Sequence, residues 1–327
     1  MELVALVYMV AAAQCNGWHY LLFPGLAALS HDVLTRPWGK WASQPGRLIA
    51  TPVLAAAIGT LVTRSLPFGV PAILLVVSAC LVLLALLKSN IAPAIAAGAL
   101  PLYLGIRSWL YPASIALSLV VLVLILLPWQ RYCRHCRHRR RNDANVGGSG
   151  ANVDDILETV PTGISWVVPY FAFLTAMALC ATASGLRLVL FPPLIVIAYE
   201  MFAHPTTCPW AGKPLALPVA CVLSATAGWA AVSLFGSGGI AAACAMVFGV
   251  VVLRLFKLHL PPALAIGLLP LVITSPGIHF PVSYPVSVAI GAGALTLAFQ
   301  MYQRWVRRCF TGHGRAGHNV PTELRSV

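Results

Sequence analysis

The sequence predicts an all-α polytopic membrane protein that consists of two tandem parallel repeats. Hydrophobic residues make up 59% of the 327 residues and charged residues only 9%, whereas a soluble domain carries about 25% charged residues. The mean hydropathy is +0.86. Long apolar stretches rich in glycine and alanine are typical of closely packed transmembrane helices. The chain therefore belongs in a lipid bilayer.

The repeat is visible as two series of prolines, glycines, acids and aromatic residues that occur in one order. Trp41 of the first series corresponds to Trp210 of the second, and Tyr111 corresponds to Tyr284, at nearly equal spacing. Chance similarity between two apolar regions would not keep so many residue types in register. We therefore predict a tandem duplication, with a first membrane repeat at 1–128 and a second at 164–303.

Each repeat divides into six apolar segments. The segments are 2–19, 21–35, 47–64, 69–87, 90–106 and 110–128, then 164–184, 188–203, 215–234, 238–256, 260–274 and 283–303. The second and fifth of each set are short and begin at or near proline, which fits the first turn of a helix. We predict these four as short, broken or re-entrant helices, which gives 10–12 segments in total.

The basic residues predict the orientation in the membrane. The net charge is +13, and much of the surplus lies in two regions, a basic, flexible linker at 129–163 and a basic tail at 304–327. Basic runs beside transmembrane helices mark the cytoplasmic face. We therefore predict a multi-pass protein of the cell inner membrane with both termini cytoplasmic. Linker and tail could also bind anionic lipid headgroups, and we expect no nucleic-acid partner. An oligomer is possible.

Two acids, Asp32 and Glu200, occupy equivalent repeat positions in or at the end of apolar segments. An ionisable residue at membrane depth is costly and suggests a function, here proton coupling. The structural alternative is that each acid pairs with a neighbouring base, Asp32 with Arg36 and Glu200 with Lys213 or His204. The sequence leaves both interpretations open.

The proline-opened turn before the fifth segment predicts an anion site, because the N–H groups at a helix N-terminus attract anions. The substrate-binding candidates are Lys257, His259, Pro261 and Pro262, and in the first repeat Lys88, Asn90 and Pro93. Alternatively, the lysine reaches the lipid headgroups and the histidine caps the helix.

Other residues add weaker predictions. Tyr111 and Tyr284 either line a path between the repeats or anchor helices at the interface. Arg187 and Arg254 either guide an anion or reach the headgroups. The spacing of cysteines and histidines at 133–138 suits zinc, but adjacent arginines oppose a cation, so we predict no metal and no cofactor.

The second repeat resembles the HPP family of integral membrane proteins over roughly 170–303, and the first repeat does so more weakly. The resemblance rests on the Leu-Phe-Pro opening at 190–192 and the turn formed by His259, Pro261, Pro262 and Ala263, into which Leu260 is inserted. It implies a divergent, duplicated member. The family's assigned role implies transport of a nitrite-like anion.

These observations predict a secondary transporter or channel for a small inorganic anion, with a path between the two repeats. No Walker sequence or Gly-x-Ser-x-Gly elbow is present, and we do not predict an enzyme. Two alternatives remain. One is an intramembrane enzyme that acts on lipid or quinone through His259 and Glu200. The other is a membrane scaffold or sensor whose basic linker binds partners.

Overall fold

The computed structural model describes residues 2–14, 23–39, 41–141, 165–205, 208, 210, 212–258, 260–273 and 283–313. Within these ranges the protein is all helical, with twelve α-helices and one 3-10 turn at Arg187–Leu190. The helices are α1 (Glu2–Gln14), α2 (Pro24–Thr35), α3 (Pro45–Ser65), α4 (Val70–Leu86), α5 (Pro93–Leu104), α6 (Leu110–Arg141), α7 (Val167–Ser184), α8 (Pro192–Ala203), α9 (Ala216–Phe235), α10 (Gly239–Leu255), α11 (Pro261–Ile273) and α12 (Ser283–His313). The predicted all-α class is confirmed.

In the described part of the chain, five helices are long and apolar enough, by length and composition, to cross a membrane. They are α3, α7, α9 and the apolar parts of α6 and α12, at Leu110–Tyr132 and Ser283–Trp305. In contrast, α2, α5 and α8 have 12 residues each and α11 has 13. At a rise of 1.5 Å per residue each spans about 18 to 20 Å, less than the roughly 30 Å of a hydrocarbon core.

The short helices lie inside the bundle and the long helices surround them. Every residue of α5 from Pro93 to Tyr103 is buried, and so is every residue of α11 from Pro261 to Leu271. The surrounding helices expose large apolar side chains, among them Leu61, Leu124, Leu234 and Leu297. Such an outer surface suits contact with lipid, because lipid offers apolar groups no worse a partner than the protein interior does.

The two halves of the chain are interleaved. In the first half, α1 packs on α10 and α2 packs on α11 of the second half. In return, α7 packs on α4 and α8 packs on α5. Within each half, the third helix packs on the fifth, as α3 does on α5 and α9 on α11. The apolar core is therefore shared between the halves.

Glycines set the closest approach of helices in both halves. A β carbon on Gly59 would collide with the backbone carbonyl of Gly98, where α3 crosses α5. A β carbon on Gly228 would collide in the same way with the carbonyl of Gly267, where α9 crosses α11. Small residues allow membrane helices to pack backbone to backbone, so these crossings require glycine.

The last helix of each half is longer than the sequence analysis predicted. α6 continues through Pro128 to Arg141, so the linker is helical over 129–141 instead of flexible from its start. α12 likewise runs into the predicted tail. The amide of Gln130 on α6 donates to the carbonyls of Pro37 and Ala42, at 2.8 and 3.2 Å. These bonds fix the loop after α2 against the extended helix. Residues 142–164 and 314–327 lie outside the described residues.

Candidate anion-binding site

The turns that precede α5 and α11 share an unusual backbone conformation. Lys88 and Lys257 have φ angles of 46° and 49°, in the left-handed region that a β carbon disfavours. The N–H of Leu258 donates to the carbonyl of Leu253 at 2.9 Å, which is the bond of a Schellman helix end. The same bond closes the first-half turn. Each lysine thus ends one helix just before a proline-opened helix begins.

Basic side chains from a neighbouring helix start hold both turns. The Lys213 ammonium donates to the carbonyl of Lys257 at 3.1 Å. In the first half, the Arg47 guanidinium donates to the carbonyl of Lys88 at 3.1 Å, and the Trp41 indole N–H donates to the carbonyl of Asn90 at 3.2 Å. Positive charge therefore collects at this end of the bundle.

A cavity of about 320 Å³ opens beside the second-half turn, between α2, α10 and α11. Arg254 and Lys257 line it with exposed side chains, and His31 of α2 lines it with a partly buried one. The rest of the lining is apolar and mostly buried, and it includes Leu258 and Leu260. The cavity thus has a basic mouth and an apolar floor.

The corresponding turn of the first half lacks this basic set. In the register that matches Trp41 with Trp210, Ala85 stands in the first half where Arg254 stands in the second. In the register that matches Asp32 with Glu200, the counterpart of His31 is Tyr199. Lysine is kept in both turns, but Arg254 has no basic counterpart in the first half and His31 has no histidine counterpart in the second. The two halves are therefore chemically unequal at this point.

Three predicted substrate-binding positions are prolines in the first turns of buried helices. Pro261 lines the cavity, and Pro262 and Pro93 are buried in the first turns of α11 and α5. His259 lies outside the described residues. Lys257 and Pro261 are thus the two predicted residues that the described structure places at the cavity.

His31 has no role predicted from the sequence, and Arg254 has only a minor one. Nothing in the spacing of His31 links it to residues in the second half of the chain. The link arises because α2 packs on the fifth helix of the other half more extensively than on its own. Arg254 carried a weak signal, since it precedes Lys257 by about one turn of α10, which brings the two close together.

The two predicted proton-coupling acids have different surroundings. Asp32 is 1% exposed and forms an ion pair with Arg36 of the same helix, whose Nε donates to Oδ1 at 2.9 Å. The arginine pairing that the sequence left open for Asp32 is therefore present. Glu200 is partly buried on α8. Its role in proton coupling stays a prediction, as does that of Asp32.

The two predicted path tyrosines are fully buried and complete helices that contain proline. The Tyr284 hydroxyl donates to the carbonyl of Ile266 at 2.6 Å. One helical turn after Ile266 stands Pro270, which has no N–H to offer that carbonyl. The hydroxyl therefore replaces the missing helical bond. In the first half, the Tyr111 hydroxyl donates at 2.8 Å to the carbonyl of Ala97, which stands in the same relation to Pro101. Neither ring lies at a surface.

The centre of the bundle is closed in this structure. The N-termini of α2 and α8 meet there around Phe23, Pro24 and Pro192, and the void between them is about 10 Å³. Such a void holds at most one water molecule, and its lining is apolar.

Comparisons with protein-family models, with curated proteins and with solved structures gave no match. The HPP resemblance therefore stays a prediction that rests on the residues of one turn and one helix opening. Because fold does not imply function, the function must come from the chemistry of the site. Among the described residues, no group of three or more His, Cys, Asp or Glu side chains is placed to hold a metal ion. The cysteines and histidines at 133–138 have no described side chains.

Proposed function

We propose that this chain is an integral membrane protein that binds a small anion at the basic cavity and carries it across the bilayer. The cavity carries the proposal, because Arg254 and Lys257 lie at its mouth and Pro261 opens α11 beside it. A helix N-terminus contributes about 0.3 to 2 kcal/mol toward an anion. Two cations and a helix end together supply the converging groups that anion binding needs.

The distribution of charge supports a membrane orientation. Within the described residues, the ends of α2, α4 and α10 and the starts of α3 and α9 carry Arg36, Arg47, Lys88, Lys213, Arg254 and Lys257. The other end of the bundle carries Arg64, Arg107 and Arg187. By the positive-inside rule, the end with the cavity faces the cytoplasm. The proposal therefore puts the cavity on the cytoplasmic side of the inner membrane.

Tandem duplication is part of the proposal. Its support is that three unusual features recur at the sequence spacing: the glycine crossings, the left-handed lysines and the tyrosine bonds to proline-bearing helices. None of these is a general property of apolar helices. Duplication followed by divergence also explains why Arg254 and His31 each have a different residue type at the equivalent position of the other half.

Asp32 offers a way to couple anion binding to protons. It lies on α2, next to His31 of the cavity wall, and its charge is balanced by Arg36. If Asp32 takes up a proton, the positive charge of Arg36 is no longer compensated, and the field at the cavity becomes more favourable to an anion. Proton and anion would then move together. Glu200 is the second coupling candidate.

The test is uptake of nitrite into proteoliposomes, with nitrate, formate and chloride as competitors, with and without a pH gradient. Saturable uptake should fall at least tenfold in the Arg254→Gln/Lys257→Gln double variant. Arg131→Gln is the matched control, because Arg131 is an exposed cation of α6 that does not line the cavity. No uptake of any of these anions or of hexanoate by folded protein would refute the proposal.

A second arm tests coupling. Asp32→Asn and Glu200→Gln are compared with the unmodified protein over a range of pH gradients. Loss of the gradient effect in one variant, with uptake retained at zero gradient, assigns coupling to that residue. If both variants respond to the gradient as the unmodified protein does, neither acid couples protons to transport.

A further inference from the structure

The cavity is large for an inorganic anion. Its volume is about 320 Å³, whereas a water molecule in the liquid takes about 30 Å³. An ion of three or four atoms, such as nitrite or nitrate, would leave most of this space empty. Pockets of about 300 Å³ and more are typical of sites for organic ligands.

The polar and apolar groups of the cavity lie on different sides. Arg254 and Lys257 are exposed or partly exposed at the mouth, whereas Leu253, Leu258 and Leu260 are buried. An inorganic anion has charge on every side, and burial of a charge against apolar side chains is costly. A ligand with charge at one end and carbon at the other would match both surfaces.

We propose that the ligand of this cavity is an amphipathic anion, a carboxylate or phosphate carried on an apolar body. Its charged end lies at Arg254 and Lys257, and its apolar body lies on the leucine floor, with His31 on the facing wall. This inference rests on the proposed function and specifies its substrate class. The ligand contacts α2 of the first half together with α10 and α11 of the second, so its binding joins the two halves.

Two sources could supply this chemistry. One is an organic acid dissolved in the cytoplasm, and the other is an anionic phospholipid of the surrounding leaflet. In both, the same cations meet the charged group. If an anionic lipid is the ligand, adding such a lipid to the bilayer should lower the affinity of the cavity for a free acid. If a dissolved acid is the ligand, that affinity should not change.

The test is calorimetric titration of the purified full chain in phosphatidylcholine nanodiscs, with empty nanodiscs as the blank. The probes are acetate, butanoate, hexanoate, nitrite and hexanol. We expect the affinity to rise up to about fourfold with each methylene group added to the carboxylate. Hexanoate should bind at least tenfold more tightly than nitrite or hexanol.

Variants locate the binding. Arg254→Gln/Lys257→Gln should reduce the affinity for hexanoate at least tenfold and bring it to the level of hexanol, whereas Arg131→Gln should leave it unchanged. Each protein is first checked for the same thermal unfolding in the nanodisc. If the double variant does not fold, the comparison of hexanoate, nitrite and hexanol on the unmodified chain decides by itself.

The source is decided by repeating the hexanoate titration in nanodiscs that contain phosphatidylglycerol. A lower affinity there assigns the cavity to an anionic lipid, and an unchanged affinity assigns it to a dissolved acid. Nitrite binding as tight as hexanoate binding, with no effect of chain length, would overturn this inference and leave the proposed function intact. If no anion binds to folded protein, both fail.

Discussion

Removal of the Tyr284 hydroxyl tests the link between the buried tyrosines and the prolines of the inner helices. Tyr284→Phe keeps the ring and deletes only the donor to the Ile266 carbonyl, a bond of 2.6 Å between fully buried groups. A buried acceptor left without a donor costs about 1 to 3 kcal/mol, and water is scarce in the membrane interior. We therefore expect the free energy of unfolding to fall by about 1 to 3 kcal/mol.

Pro270→Ala should remove most of this penalty. An alanine at this position supplies the backbone N–H that the proline lacks, so the Ile266 carbonyl regains a helical donor. In that background, Tyr284→Phe should cost about 0.5 kcal/mol or less. The double-mutant cycle then gives a coupling energy of about 0.5 kcal/mol or more, independent of how much packing the proline ring itself contributes.

The assay is reversible unfolding in mixed micelles, with the free energy of unfolding measured for all four proteins. Tyr8→Phe is the matched control, because the Tyr8 hydroxyl donates to the Ser118 carbonyl at 2.6 Å. That carbonyl lies inside α6, where Leu122 stands one turn further on and supplies an N–H. Its loss should cost only about 0.5 to 1.5 kcal/mol. Equal costs of Tyr284→Phe in both proline backgrounds would refute the reasoning.

Three further predictions concern packing, backbone strain and pH. Gly228→Ala should lower the free energy of unfolding by about 1 to 3 kcal/mol, because the added β carbon meets the carbonyl of Gly267. Gly293→Ala, where the β carbon meets open space, should raise the free energy of unfolding by up to about 1 kcal/mol. Equal effects of the two variants in the same unfolding assay would contradict this prediction. Lys257→Gly should relieve the strain of the left-handed backbone and raise the free energy of unfolding by up to about 1 kcal/mol. The same variant should bind the anion more weakly in calorimetry. An unchanged anion affinity would show that Lys257 does not contribute to binding. Burial lowers the pKa of His204 below its ordinary value, so the unfolded state binds more protons and stability should fall as pH drops below about 6.5. His204→Asn should reduce the dependence of the free energy of unfolding on pH between pH 8 and 5. An unchanged slope in the variant would show that His204 does not cause this dependence.

The positions of the helices could be predicted because the signals are local. Proline at the start of a short apolar segment predicts where α5 and α11 begin, and both begin at the expected prolines, Pro93 and Pro261. The end of α6 was less predictable. The arginines after residue 128 suggested a linker, but charged side chains outside the membrane remain compatible with helix, and Pro128 removes only one helical bond. The helix therefore continues.

The roles of the buried tyrosines needed the structure. The sequence marks Tyr284 and Pro270 as recurring residues. It cannot show that the Tyr284 hydroxyl reaches the carbonyl of Ile266, which Pro270 leaves without a helical donor. That contact depends on how α12 packs beside α11. The sequence offered a path or an interfacial anchor, which stay predictions, and the structure adds that the ring is fully buried.

By itself, the sequence determined the helical class, the prolines at which the short inner helices begin and the lysines with their neighbouring charges, because each depends on residues close together in the chain. Only the tertiary structure decided on which helices of one half the helices of the other half pack. Hydrophobic patterning identifies the face of α2 that must be buried, but similar halves offer it two similar partners, α5 and α11. Because α2 packs more extensively on α11 than on α5, His31 lines the same cavity as Arg254 and Lys257, and the cavity exists where the two halves meet.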